Sequence, residues 1–374
     1  MERTGTAELP LHYGTCPPWL FRRMVKLSGA IAEAILLEHG SEEFLRRMAD
    51  PFFFQSLGCV VGFDFHSSGL TTTLTGALKE ALMPEELGIA VCGGKGKVSK
   101  LVPQEIQGLT EVFSFTTAKT EELKHASRMA AKVDNACVQD GYQLYHHAFF
   151  VDENGNWAVV QQGMNESLAR RYHWLSDGLR SFVEEPHSGI IGERAEEVAL
   201  DMTARDSEEA RRTSVDLVRD GPKKILAEIR EFGQRSLDDY VGKEERVMRL
   251  VMPRDHGITE LPKQTIAALQ RAYEIQPENY EELIAISGIG PKAVRALALV
   301  STLIYGKPPS WRDPIRYSFA HGGKDGVPFP VDRKTYQETT EILKGAIEAA
   351  KCGHGEKLKA IRRLHEFIGQ SEVL

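Results

Sequence analysis

The stretch YQLYHHAFFVDENGNWAVVQQGMN, residues 142–165, decides the fold. Asn154-Gly155 is a strong turn signal between two apolar runs, AFFV and WAVV,. Both runs are apolar at successive positions, so both faces of each strand are buried and the pair is central to a sheet. The turn sets YHH (145–147) opposite QQG (161–163), the exact register depending on the length of the loop. His146, His147, Gln161 and Gln162 then gather at one end of the hairpin. The adjacent histidines point to opposite faces, so only one of them joins a given site.

Upstream, residues 120–141 predict a long helix that stops at Asp140-Gly141, with Leu123, Ala126, Val133 and Cys137 on its apolar stripe,. ELGIAVCGG (86–94) reads as a buried strand leading into a basic glycine loop, GGKGKVSK. That loop lacks the spacing of a nucleotide P-loop; exposed Lys95, Lys97 and Lys100 suit a phosphate backbone or open solvent. CVVGFDFH (59–66) alternates and reads as a strand, SSGLTTT as a turn, and LTGALKEALM as a helix,. Before them, one helical run ends at His39-Gly40, and a second is broken by a proline,.

The fold class expected is therefore an α/β N-terminal domain with a buried hairpin, residues 1–165. A polar helical connector is read over 166–255, and an all-α helix-hairpin-helix domain over 256–374. Within the last, YEELIAISGIGPKAVRALALV interrupts two helical runs with Gly288, Ile289 and Gly290. The glycines permit positive φ and a close approach of the backbone. Pro291 suits the first position of the next helix. The free amides and positive end of that helix, with Lys292 and Arg295 on its opening turn, suit a DNA backbone phosphate. The competing reading is a tight turn between packed helices.

With 53 acidic against 46 basic residues and a formal charge of −7, any nucleic-acid site must be a local basic patch,. The five cysteines are dispersed without a CxxC pair, which argues against a disulfide framework or zinc knuckle and suits a cytoplasmic protein,. No window is long and apolar enough for a membrane span, and no signal peptide is read at the N-terminus. The middle helices show apolar surface without an obvious internal partner, which suggests a homodimer.

For chemistry, a nuclease needs carboxylates converging on Mg²⁺ or Mn²⁺. Asp64 and His66 share one face of the strand read at 59–66, near its exit; the alternative is that Asp64 caps the turn. Asp134 and Asp140 precede the hairpin and do not share a helix face. The candidate metal ligands are Asp64, Asp134, Asp140 and His147, with His66 and His146 assisting. A different chemistry, glycosylase or lyase attack on a sugar by Lys292 with Asp332 downstream, resembles that of some helix-hairpin-helix enzymes. A non-catalytic DNA-binding scaffold is the third possibility.

Three stretches together, GFDFHSSGLTTTLTGALKEAL (62–82), KVDNACVQDGYQLYHHAFFVDENGNWAVVQQGMN (132–165) and ISGIGPKAVRALALVSTLIYG (286–306), resemble a family of uncharacterised archaeal and bacterial proteins. That family is a domain of unknown function with a helix-hairpin-helix near its C-terminus. The resemblance implies a prokaryotic, cytoplasmic protein that handles DNA, with a link to metal-dependent DNA cleavage. It carries no catalytic residues onto this chain.

Overall fold

A computed structural model describes residues 16–63, 68–165, 168–192, 195–227, 261–315 and 333–372. Its centre is a five-stranded antiparallel sheet with strand order β1-β3-β4-β5-β6. The strands are β1 (Ile89–Lys95), β3 (Gln143–Asp152), β4 (Trp157–Met164), β5 (Ala169–Leu175) and β6 (His187–Ile191); β2 (Val138–Gln139) and β7 (Leu200–Asp201) form a separate small ladder.

The hairpin predicted from residues 142–165 is β3–β4, and it is central as expected. Its loop holds four residues between the strands. The Asp152 side chain accepts from the amides of Asn154 (3.0 Å) and Asn156 (2.8 Å), and Gly155 takes the positive φ (79°) that the turn requires,. The register sets His146 opposite Gln162 and His147 opposite Gln161.

Helices cover both faces, which is why the strands are apolar on both sides. One face carries α1 (Pro18–Ala49), α2 (Pro51–Val61) and α3 (Gly69–Ala81); it also meets two closing helices that bracket residues 333–349 and 354–372. Ile89, Val91, Ala148, Phe150, Ala158 and Val160 point into this layer. The short α4 (Pro84–Leu87) precedes β1, with Leu87 packed against the core of this first face; the other face carries α5 (Val102–Val112), α6 (Thr117–Ala136) and α7 (Glu208–Asp220). Ala90, Cys92, Phe149, Val151, Val159 and Trp174 point there. The same core continues into α8 (Lys263–Ile275), α9 (Tyr280–Ala285) and α10 (Pro291–Tyr305), through Leu269, Ile284 and Val294. The closing helices are α11 (Arg333–Ala349) and α12 (His354–Glu372).

Three expectations are corrected. Cys59–Val61 is the last turn of α2 and not a strand. Asp50 caps that helix through the amides of Phe52 and Phe53, Pro51 fills its first position, and Gly62 closes it in the left-handed conformation,. Leu70 to Thr73 are helical, inside α3, where a turn is predicted. The stretch 166–255, read as a helical connector, supplies β5 and β6 of the main sheet before α7 begins. The apolar face of α7 is not left over: Ala210, Val215, Leu217 and Val218 are buried in the core shared with α8, α9 and α10. No described helix is long and apolar enough to cross a membrane.

Candidate functional site

The turn between α9 and α10 is built from both ends. Asn279 caps α9 by accepting from the Glu282 amide (2.9 Å), and Ile286 leaves the helix extended. Gly288 has φ +91°, and a Cβ there would lie 2.6 Å from an Arg271 nitrogen and 3.0 Å from Ala268 Cβ. Ile289 is buried and pins the turn to the core, whereas Ser287, Gly288, Pro291 and Lys292 are exposed. Gly290 is the N-cap of α10 and no side chain caps that helix, so its first amides are unclaimed by side chains,.

Cations from three helices surround the turn. Arg271 of α8 donates to the Ser287 carbonyl (2.9 Å), and Lys132 of α6 donates to the Ile286 carbonyl. Burial lowers Lys132 to about 8. Of the two cations foreseen on α10, Lys292 is exposed, while Arg295 is half-buried with Nε donating to Gln139 Oε1 (2.7 Å). Burial holds Arg295 below the usual arginine range. Gln139 in turn donates to the Pro291 carbonyl (2.9 Å). Lys95 and Lys97 stand exposed at the far end of β1 and in the short 3-10 segment that follows.

The carboxylates and histidines that drew attention in the sequence are separated into three places. Asp134, on the last turns of α6, is buried beneath the sheet. Its Oδ2 accepts from Gln161 Nε2 (2.6 Å) and Trp174 Nε1 (3.0 Å), and its Oδ1 accepts from His187 Nε2. Gln161 Oε1 then accepts from His147 Nδ1 (2.7 Å). That fixes the tautomer of His147 and leaves its Nε2 to accept from Ser127 Oγ (2.9 Å),. Burial pushes His147 down, so it is held neutral,.

Asp140 lies elsewhere, beyond the end of α6. It accepts from Arg170 (2.8 Å), from Tyr172 Oη (2.7 Å) and from the Tyr142 amide (3.1 Å). Arg170 also holds Asp313 through two bonds of 2.8 Å each. Burial raises Asp140 above the usual carboxylate range, against the pull of Arg170. Asp134, Asp140 and His147 therefore do not converge on one point, and each carboxylate already serves protein donors. Among the described residues no group of three or more His, Cys, Asp or Glu is placed to hold a metal ion. Asp64, His66 and Asp332 lie outside the described residues.

His146 faces the opposite layer, as the alternation of the strand requires. Its Nε2 meets Thr75 Oγ1 (3.1 Å) on α3. On the same face Gln162 donates to the Ser68 carbonyl (2.9 Å) and to Tyr145 Oη, and His173 Nδ1 donates to the Met48 carbonyl (2.9 Å). Arg171 donates to Thr71 Oγ1 (3.3 Å) and Gln55 Oε1 (3.0 Å). Burial lowers His146 to about 3, Arg171 to about 9, and His173 well below the usual histidine range.

Sequence reading passes over Trp174, His187, Arg170, Arg171 and His173, and over Lys132 and Arg271 beside the turn. The available signal was ARRYHWL (169–175), where Arg171 and His173 alternate with Tyr172 and Trp174 as on a strand.

The model of a family described as "Protein of unknown function (DUF763)" matches residues 5–331. No curated protein and no solved structure matches the chain.

Proposed function

The chain belongs to the DUF763 family, and we propose that its turn at 286–290 is a helix-hairpin-helix that grips the sugar-phosphate backbone of DNA. The observation that carries this reading is the junction itself. An exposed glycine turn presents the uncapped start of a fifteen-residue helix, and cations from α6, α8 and α10 stand around it. Uncapped amides and the positive end of the helix dipole suit an anion, and Lys292 adds a point charge,. Nothing in this arrangement reads a base edge, so the contact is independent of sequence.

Lys292 is a binding residue in this reading. It is exposed, so it lacks the desolvation that would make it a nucleophile for a glycosylase or lyase,. A scaffold role needs only the grip. Cleavage with Mg²⁺ or Mn²⁺ needs a carboxylate set beyond Asp134 and Asp140, whose oxygens are occupied by protein donors.

Fluorescence anisotropy with single-stranded, duplex and forked DNA, over a salt series, tests the proposal. Wild-type binding should weaken linearly on a log-log salt plot, and Lys292→Glu should weaken binding to all three DNAs and lower the slope by about one phosphate contact. Equal affinity and slope in wild type and Lys292→Glu would remove the hairpin from the interface. Parallel incubations with Mn²⁺ or with EDTA report whether binding is accompanied by cutting.

A further inference from the structure

Lys95, His146, Gln162 and Arg171 are successive cross-strand partners on β1, β3, β4 and β5. They form one polar row across the sheet, on the face covered by α3. The row runs from exposed Lys95 to Arg171, which is fully buried. The Arg171 guanidinium lies 4.8 Å from the ring centroid of Phe54, and among the described residues no carboxylate pairs with it. Among the same residues its Nε has no hydrogen-bond partner. A buried cation left like this costs several kcal/mol, on the order of the penalty for an unpaired ion.

Among the described residues, the same row also holds acceptors without a hydrogen-bond partner. Thr75 Oγ1 gives its proton to the Thr71 carbonyl (2.8 Å), so it accepts from His146 Nε2–H and leaves His146 Nδ1 as a bare lone pair. Gln162 spends its amide nitrogen on the Ser68 carbonyl and Tyr145, so its Oε1 is the bare atom. His173, two residues along β5, uses Nδ1–H on the Met48 carbonyl and leaves Nε2 bare. Buried polar atoms are rarely left in this state, and several in one layer point to something that binds there.

A simple anion satisfies only the arginine, and a metal ion would sit against a fixed positive charge. We propose that the row beneath α3 binds an oxyanion that retains a proton, namely hydrogen phosphate or the monoanion of a phosphate monoester. Its charged oxygens accept from Arg171 Nε–H, with Lys95 adding positive charge from the exposed end of the row, while its P–O–H donates to Gln162 Oε1 or His146 Nδ1. Sulfate has the charge without the proton, and so does an internal phosphodiester. The site is therefore distinct in chemistry from the hairpin and independent of it.

Calorimetric titration of the full chain in phosphate-free buffer near pH 6, where a monoester keeps its proton in about half of the molecules, at matched ionic strength, provides the test. The ligands are inorganic phosphate, a nucleoside 5′-monophosphate and sulfate. Phosphate, the monophosphate or both should bind, with sulfate weaker by roughly tenfold or more, as expected where a site's polar atoms are left unpaired. Tighter binding of inorganic phosphate identifies the free ion as the ligand, and tighter binding of the nucleotide identifies a monoester. Gln162→Glu places a carboxylate beside Arg171, at the cost of the amide donor to the Ser68 carbonyl, and should abolish binding in a chain that circular dichroism shows to be folded. Lys95→Ala, at an exposed position, should weaken binding severalfold in a folded protein. Failure of both phosphate ligands to bind, sulfate binding as tightly as phosphate, or wild-type affinity in Gln162→Glu overturns the proposal.

Discussion

Asp134→Ala separates a carboxylate that organises the fold from one that waits for a metal. Asp134 accepts from three buried donors, Gln161 Nε2, Trp174 Nε1 and His187 Nε2. Removing it orphans all three at once. Each unsatisfied buried donor costs about 1–3 kcal/mol, so the variant should lose about 3–6 kcal/mol even after partial relaxation. That is a large share of the stability of an ordinary domain, about 5–15 kcal/mol. Asp134→Asn should cost less, about 1–2 kcal/mol. Its oxygen still serves Gln161 and Trp174, and only the contact with His187 becomes donor against donor. Urea unfolding followed by circular dichroism measures both variants, with the slope m checking that the unfolded states are comparable. A carboxylate reserved for a metal would behave differently in the metal-free protein, where its removal is neutral or stabilising. A loss below about 1 kcal/mol in Asp134→Ala, at unchanged m, would refute the bonded network under the sheet.

Two further outcomes follow from the same geometry. Gly93→Ala should destabilise by several kcal/mol, about the range for a strained backbone combined with overpacking: Gly93 has φ +89°, and its added Cβ would lie 2.2 Å from the His147 carbonyl oxygen. Thermal unfolding of the variant checks this, and an unchanged melting point would show that β1 can shift away from β3. Acidification should cost stability through His146, which burial lowers to about 3 in the fold from the ordinary histidine value of about 6.5,. Below about pH 6.5 the unfolded chain takes up a proton that the folded one refuses, so this contribution is intact above 6.5 and is lost as pH falls towards 3. His146→Gln should flatten the urea-derived stability profile by up to about 1.4 kcal/mol per pH unit in that window, and superimposable profiles would count against a buried neutral histidine.

How much was legible depended on whether a residue's partners were near in sequence. The β3–β4 hairpin announced itself because its turn and both apolar runs lie within residues 142–165. The opposite facing of His146 and His147 followed from strand alternation alone. The end of α2 was misread because PFFFQSLGCVV is buried on nearly every side and so shows no helical stripe,. Its capping residue, Asp50, was the better signal. β5 escaped because Arg170, Arg171 and His173 look like surface residues. Arg170 is tolerated inside by Asp140 and Asp313, the latter 143 residues away, and no local pattern reports such a pairing. For the same reason Asp134 and Asp140 looked like candidates for one site: their spacing was visible, and the donors that claim them were not. The start of α10 was legible as a glycine turn with a lysine, but Lys132 and Arg271 come to it from other helices.

Helix α6 is common property of two parts of the molecule. On one side Ser127 and Asp134 tie it into the sheet, and Lys132 reaches the turn at 286–290. An engineer who cut out residues 261–315 to use the turn as a portable module would strip away Lys132 and Gln139, and expose Leu269, Ile284 and Val294 to water. The turn cannot be transplanted alone, so any graft must carry α6 with it as part of the cassette.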